Sequence, residues 1–185
     1  DRMKDVPETR DDGYFLYVGN MEKRKGVEIL LAAYALYKKR GGEKNLVLAG
    51  KQNDNYIRQQ INRAMLLTKD IEYMNYVSQK KKNELYAHCS CFIFPSKAEG
   101  FGMPVVEVMQ FNKPIIVGNL TIYNEIVGDC VNRFKMSDNF DVEALANAME
   151  NYDSNVDTAA YNRVLDSYAP EVLGEKLKKF FLSIR

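Results

Sequence analysis

The 185-residue chain is 46% hydrophobic and 11% aromatic, enough for one substantial core, and its 26 Lys plus Arg against 25 Asp plus Glu leave a formal net charge of +1. That balance supplies no overall field to attract nucleic acid or an anionic surface, so any basic site is local. Three cysteines without paired metal-ligand spacing fit a reducing, cytoplasmic setting, and no apolar run approaches the roughly 20 residues of a spanning helix.

In chain order, the charged start "DRMKDVPETRDDG", which opens on Asp rather than Met, reads as a lead-in over residues 1–13 to a domain at 14–185 and as a sign of a longer protein. "YFLYVG" (14–19) is too short for a helix and ends in glycine, as a buried strand does. The loop "GNMEKRKG" follows, and then Val27, Leu30, Leu31, Tyr34 and Tyr37 recur at helical spacing until "RGG" (40–42) stops the helix. "NLVLAG" (45–50) is a second strand, 54–67 a helix, "IEYMNYV" (71–77) a weaker strand, and 81–88 a helix. "CFIFPS" (91–96) is a third clear strand, and Cys89 and Cys91 around it read as small core residues rather than ligands. A helix at 103–111, the strand "KPIIVG" (113–118), a weak strand at 131–134 and helices at 141–151, 157–167 and 170–183 complete the chain. The alternation predicts an α/β, Rossmann-like open parallel sheet with helices on both faces, in which ligands sit outside the carboxyl ends of the strands.

Two strand ends carry candidate chemistry. After the first, Gly19 admits a close backbone approach, and Arg24 and Lys25 precede a helix whose N-terminus offers free N–H groups, an arrangement suited to phosphate; a solvated charge run is the alternative. The segment lacks both G-x-G-x-x-G and the Gly-Lys-Ser/Thr of a Walker loop. After the strand "CFIFPS" comes "AEGFGMPVVE" (98–107), where Gly100 and Gly102 flank Phe101 and Pro104 suits a first helical turn. Glu107 stands among Val105, Val106, Val108 and Met109 on what is otherwise a core helix, so its carboxylate is exposed, paired, or matched by a ligand's hydroxyls. Glu99, on the loop, is placed to meet a second set of hydroxyls. His88, the only histidine, has no Cys or Ser partner in catalytic spacing and reads as structural.

"EGFGMPVVE", with "FPS" before it and "NKPIIVG" after it, resembles the glutamate-seven-glutamate motif of retaining glycosyltransferases of family four, which have the two-domain GT-B fold. "YVGN…KG", "LVLAG", "NELYAHCSCFIFPS", "YNEIVGDCVNRF" and "DVEALANAM" stand in the family's order, so the resemblance spans about residues 14 to 185. It implies the C-terminal, donor-binding half of a GT-B glycosyltransferase, moving a hexose from a nucleotide sugar to a glycan or lipid-linked acceptor held by a missing N-terminal domain. It implies Lys25 on the donor diphosphate, Glu99 on the transferred sugar and Glu107 on the ribose, a partner that the apolar helix lacks. It also places the backbone of Phe101, Gly102 and Met103 against sugar and phosphates, and the base near residues 76–85. The donor is UDP-, GDP- or ADP-linked, and no cofactor is implied; the chain has no Asp-x-Asp metal motif, so cations and backbone amides are expected to meet the leaving group's charge. The family has arginine where this chain has Asn20, and Arg24 beside Lys25 is the substitute cation. A non-catalytic sugar-nucleotide-binding module is the alternative, favoured by Asn20 alone. The last helix carries Leu173, Leu177, Phe180, Phe181 and Ile184 on one stripe beside Lys176, Lys178 and Lys179, which predicts packing against the missing domain, with peripheral membrane contact as the other reading.

Overall fold

The structure, a computed structural model, describes residues 7–136 and 142–183. Six strands form one parallel sheet: β1 (Tyr14–Val18), β2 (Asn45–Ala49), β3 (Ile71–Met74), β4 (Cys91–Phe94), β5 (Ile115–Gly118) and β6 (Asn132–Phe134), in the order β3-β2-β1-β4-β5-β6. The four inner strands are buried almost throughout, which accounts for their unbroken apolar runs, since a parallel sheet is covered on both faces. The edge strands β3 and β6 are only partly buried, and their sequences alternate weakly for that reason.

The helices are α1 (Val27–Lys39), α2 (Asn55–Leu67), α3 (Gln79–His88), α4 (Met103–Met109), α5 (Thr121–Ile126), α6 (Val142–Asn151), α7 (Thr158–Ser167) and α8 (Pro170–Ser183). α1 buries Val27, Leu30, Leu31, Tyr34 and Tyr37 and packs against α2 and α6, while α4 packs against α7. With right-handed crossovers, the two groups cover opposite faces of the sheet. α5 is absent from the expected elements: six residues without a capping side chain carry too little periodicity to register. The expected apolar stripe of α8 is present but open: Leu177, Phe180 and Phe181 are each more than half exposed, and Ile184 lies outside the described residues.

The charged lead-in is anchored over its described part. Arg10 N–H donates to the Ala87 carbonyl at 3.1 Å and Asp12 N–H to that of His88 at 2.9 Å. Ser90 Oγ donates to Asp11, and the buried Lys113 ammonium donates to the Arg10 carbonyl at 2.6 Å. His88 lies here, 3.6 Å from Asp12, away from the carboxyl ends of the strands.

Candidate functional site

The strand order reverses between β1 and β4. The chain leaves β1 toward β2 and β3, and returns to fill β4, β5 and β6 on the other side, so the loops after β1 and β4 diverge and leave a crevice at their carboxyl ends. Gly19 to Gly26 form one wall and Pro95 to Gly102 the other.

Backbone contacts stitch these walls together. Lys97 N–H donates to the Arg24 carbonyl at 2.9 Å, and the fully buried Ser96 Oγ lies 3.3 Å from the same carbonyl and 3.2 Å from that of Ala98, its one O–H shared between them. Residues Lys23–Lys25 form one tight helical turn that ends at Gly26, whose φ of 71° and close approach to the Pro95 carbonyl both require glycine. This turn aims Lys25 across the crevice, where its ammonium lies 2.5 Å from Glu99 Oε1 and 5.5 Å above the Phe94 ring. The Lys25 and Glu99 side chains are only 12% and 7% exposed, so this is a desolvated charge pair rather than a surface contact. Two residues that the sequence placed on different parts of a donor therefore hold each other.

Glu107 needs a correction. Its Oε2 accepts from Lys82 Nζ at 2.9 Å and from the Tyr86 hydroxyl at 3.0 Å, both on α3, so the carboxylate does not lack a protein partner. Both donors meet the same oxygen, and Oε1 receives no hydrogen bond among the described residues. The pair is partly exposed, 20% for Lys82 and 29% for Glu107, and its free oxygen can still accept from a ligand. Burial and the Glu107 charge together hold the Tyr86 phenol far above its ordinary range, so it acts as a donor.

Arg24 also stands differently from the expectation. Its guanidinium lies 3.0 Å from Glu22, which accepts from Asn20 Nδ2 on its other oxygen at 3.3 Å. The position that departs from the family pattern is thus joined to its expected substitute through Glu22, and the Arg24 side chain, 55% exposed, points along the loop rather than to Glu99.

On the second wall, Gly102 adopts φ 84° and begins α4, with Pro104 in its first turn. Phe101 packs edge-on against Tyr168 with ring centroids 4.9 Å apart, and Met103 is 58% exposed. Gly100 has open space around it. Two clefts adjoin these residues. One, of about 610 Å³, lies over the ends of β1, β2 and β3 and includes Gly19, Asn20, Lys51, Tyr76, Val77 and Lys82. The other, of about 550 Å³ and largely apolar, includes Phe101, Met103 and Glu107. Lys82 lines one and Glu107 the other, so their ion pair stands between them. A third cleft, of about 710 Å³, lies between α5, β6 and α7 and holds none of the expected site residues. Its size does not outweigh the convergence of charged groups at the crevice.

The family model described as glycosyl transferases group 1 matches residues 1–170. This chain belongs to the group 1 glycosyl transferases. The O-antigen chain mannosyltransferase B of Escherichia coli is 37% identical over 122 residues, 63% of this chain and 31% of that protein. By fold, the chain resembles the pneumococcal O-GlcNAc transferase GtfA, solved with UDP and GlcNAc, at TM-score 0.75 and 16% identity over 97% of this chain and 37% of that one. It also resembles Anabaena Alr3699/HepE, solved with UDP and glucose, at TM-score 0.74 and 20% identity over 94% of this chain and 49% of that one. The chain thus spans about a third of the curated relative and a third to a half of these solved chains. Among its described residues, no helix is long and apolar enough to cross a membrane.

Three residues of this group 1 domain escaped the sequence reading. Lys82 and Tyr86 belong to "KKKNELY", a segment whose charge pattern looks like an ordinary solvated helix start; only the packing of α3 beside α4 turns them to Glu107. Tyr123, on the unanticipated α5, is fully buried beneath Gly102, and its hydroxyl has no hydrogen-bond partner among the described residues. Burial first, and then the charge of Glu99, raise the phenol pKa of both Tyr123 and Tyr17. Arg133 holds α5 in place by donating to the Tyr123 and Gly128 carbonyls.

Proposed function

We propose that this domain binds the donor of a retaining glycosyltransferase, a nucleotide sugar, in the crevice between β1 and β4. The observation that carries this reading is the convergence of Lys25 and Glu99, from opposite walls, beneath the turn that begins α4. When a sugar leaves a nucleoside diphosphate, negative charge grows on the β-phosphate oxygen and positive charge on the sugar ring. Lys25 meets the first charge, helped by the amides of Phe101, Gly102 and Met103. Glu99 orients the sugar through its hydroxyls. The free oxygen of Glu107 accepts from the ribose while Lys82 and Tyr86 hold the other, and the cleft at Tyr76 and Val77 takes the base. Arg24, tied to Glu22, acts at the outer edge of the diphosphate rather than in place of the family's arginine.

Kinship with an O-antigen chain mannosyltransferase supports a hexose donor, mannose first, and a growing cell-surface polysaccharide as acceptor. The acceptor is held by the part of the protein beyond this chain, and the open apolar face of α8 is the surface that this part covers. Thermal stabilisation by GDP-mannose, UDP-glucose, UDP-GlcNAc and ADP-glucose, followed by a transfer assay of the full-length protein with whichever donor stabilises most, tests the proposal. It expects stabilisation by one donor above the others and transfer that Glu99→Gln suppresses by about 100-fold or more. No stabilisation by any of the four, with no transfer, would sink it.

A further inference from the structure

We infer that the Lys25–Glu99 pair makes this site selective for the intact sugar donor over the free nucleoside diphosphate, the product of the reaction. The inference rests on the donor-site reading above. Among the described residues, Lys25 is the only hydrogen-bond donor to Glu99, at 2.5 Å, and Glu99 is the only carboxylate paired with Lys25. Both are largely desolvated, at 12% and 7% exposure. A diphosphate that enters alone draws the Lys25 ammonium toward itself and weakens the pairing of Glu99, a carboxylate that is 7% exposed and has no other hydrogen-bond donor among the described residues. That loss is charged against phosphate binding.

A donor that carries a sugar brings its own replacement. Its hydroxyls donate to Glu99 as its diphosphate takes Lys25, so both charges end the exchange satisfied. Sugar and diphosphate therefore bind cooperatively although they touch different residues, because each completes what the other disrupts. Once the sugar has been transferred, Glu99 again lacks a donor and competes with the diphosphate for Lys25. The two nearby phenols do not relieve this: the Tyr17 hydroxyl donates to the Asn20 carbonyl at 2.9 Å, and that of Tyr123 makes no hydrogen bond among the described residues.

The consequence is opposite to that of a simple sugar-binding carboxylate, whose removal leaves affinity for the free nucleotide unchanged. Calorimetric titration of the chain with GDP, UDP, GDP-mannose and UDP-glucose, in wild type, Glu99→Gln, Lys25→Gln and the double variant, tests it, with Glu99→Ala as a second removal of the carboxylate. For whichever base binds, Glu99→Gln is expected to tighten the nucleoside diphosphate about tenfold and to weaken its sugar conjugate about tenfold. In the Lys25→Gln background the first gain should vanish, because no ammonium remains to be released; a general gain from deleting one negative charge would persist there. If Glu99→Gln and Glu99→Ala bind the nucleoside diphosphate no more tightly than wild type, or if the gain survives in the Lys25→Gln background, the inference is overturned while the donor site stands. If none of the four probes binds the wild type, the inference is overturned, and the donor-site reading falls with it when UDP-GlcNAc and ADP-glucose also fail to stabilise the protein.

Discussion

Glu107 lies between two buried valines on α4 and accepts from Lys82 and Tyr86 through one oxygen. The sequence was enough to show that a carboxylate there needed a partner. It could not show that the partner lies on α3, because the two helices meet only through the packing of the whole sheet. The pairing changes the expected behaviour of a neutralised side chain. Glu107→Gln should lower the unfolding free energy by about 1 kcal/mol, as for a partly exposed pair with one added hydrogen bond, and weaken nucleotide and nucleotide sugar alike. Urea unfolding beside calorimetry reads both, and unchanged stability would mean that Lys82 and Tyr86 do not hold this carboxylate in solution. Tyr123 has the opposite character, since its buried hydroxyl makes no hydrogen bond among the described residues. Tyr123→Phe should therefore raise stability by roughly 1 kcal/mol, the cost of an unsatisfied polar atom. A clear loss of stability in a urea melt would show that the hydroxyl has a partner.

Among the elements, legibility followed burial. The inner strands announced themselves as apolar runs because both of their faces are covered. β3 and β6 were weak candidates because each presents partly exposed residues at an edge of the sheet. α5 was invisible, yet it places Tyr123 under the motif that the sequence made most conspicuous. The segment Lys23–Lys25 read from sequence as either a phosphate site ahead of α1 or a solvated charge run, and what makes "KRK" one wall of the crevice is the docking of Gly26 on Pro95. A methyl group at that position would meet the Pro95 carbonyl and take a left-handed backbone conformation at once. Gly26→Ala is expected to cost about 2–4 kcal/mol and, at temperatures where the variant is still folded, to weaken nucleoside diphosphate binding by displacing Lys25. Thermal unfolding and titration of the same sample check this. A variant with wild-type stability would show that the turn is not anchored there.

The whole molecule is a doubly wound domain in which Lys25 and Glu99 meet across the crevice between β1 and β4, and it amounts to about a third of the curated relative described above. The candidate glutamates, lysine and glycines could be named from the sequence because they lie in the segments that follow β1 and β4 and, for the glutamates, in a motif that resembles the family's. How the charges are shared among them was not, since Lys25–Glu99, Lys82–Glu107 and Arg24–Glu22 are set by tertiary approach rather than by spacing. The same molecule offers a rival site, the more voluminous cleft between α5, β6 and α7. Backbone amide chemical shifts recorded while GDP or UDP is added to the labelled chain distinguish the two most directly. Perturbations confined to Gly19–Gly26, Tyr76–Lys82 and Glu99–Glu107 are the predicted result. Perturbations centred instead on Asn124–Asn132 and Asp157–Ser167, with the crevice silent, would contradict the claim that the donor binds between β1 and β4.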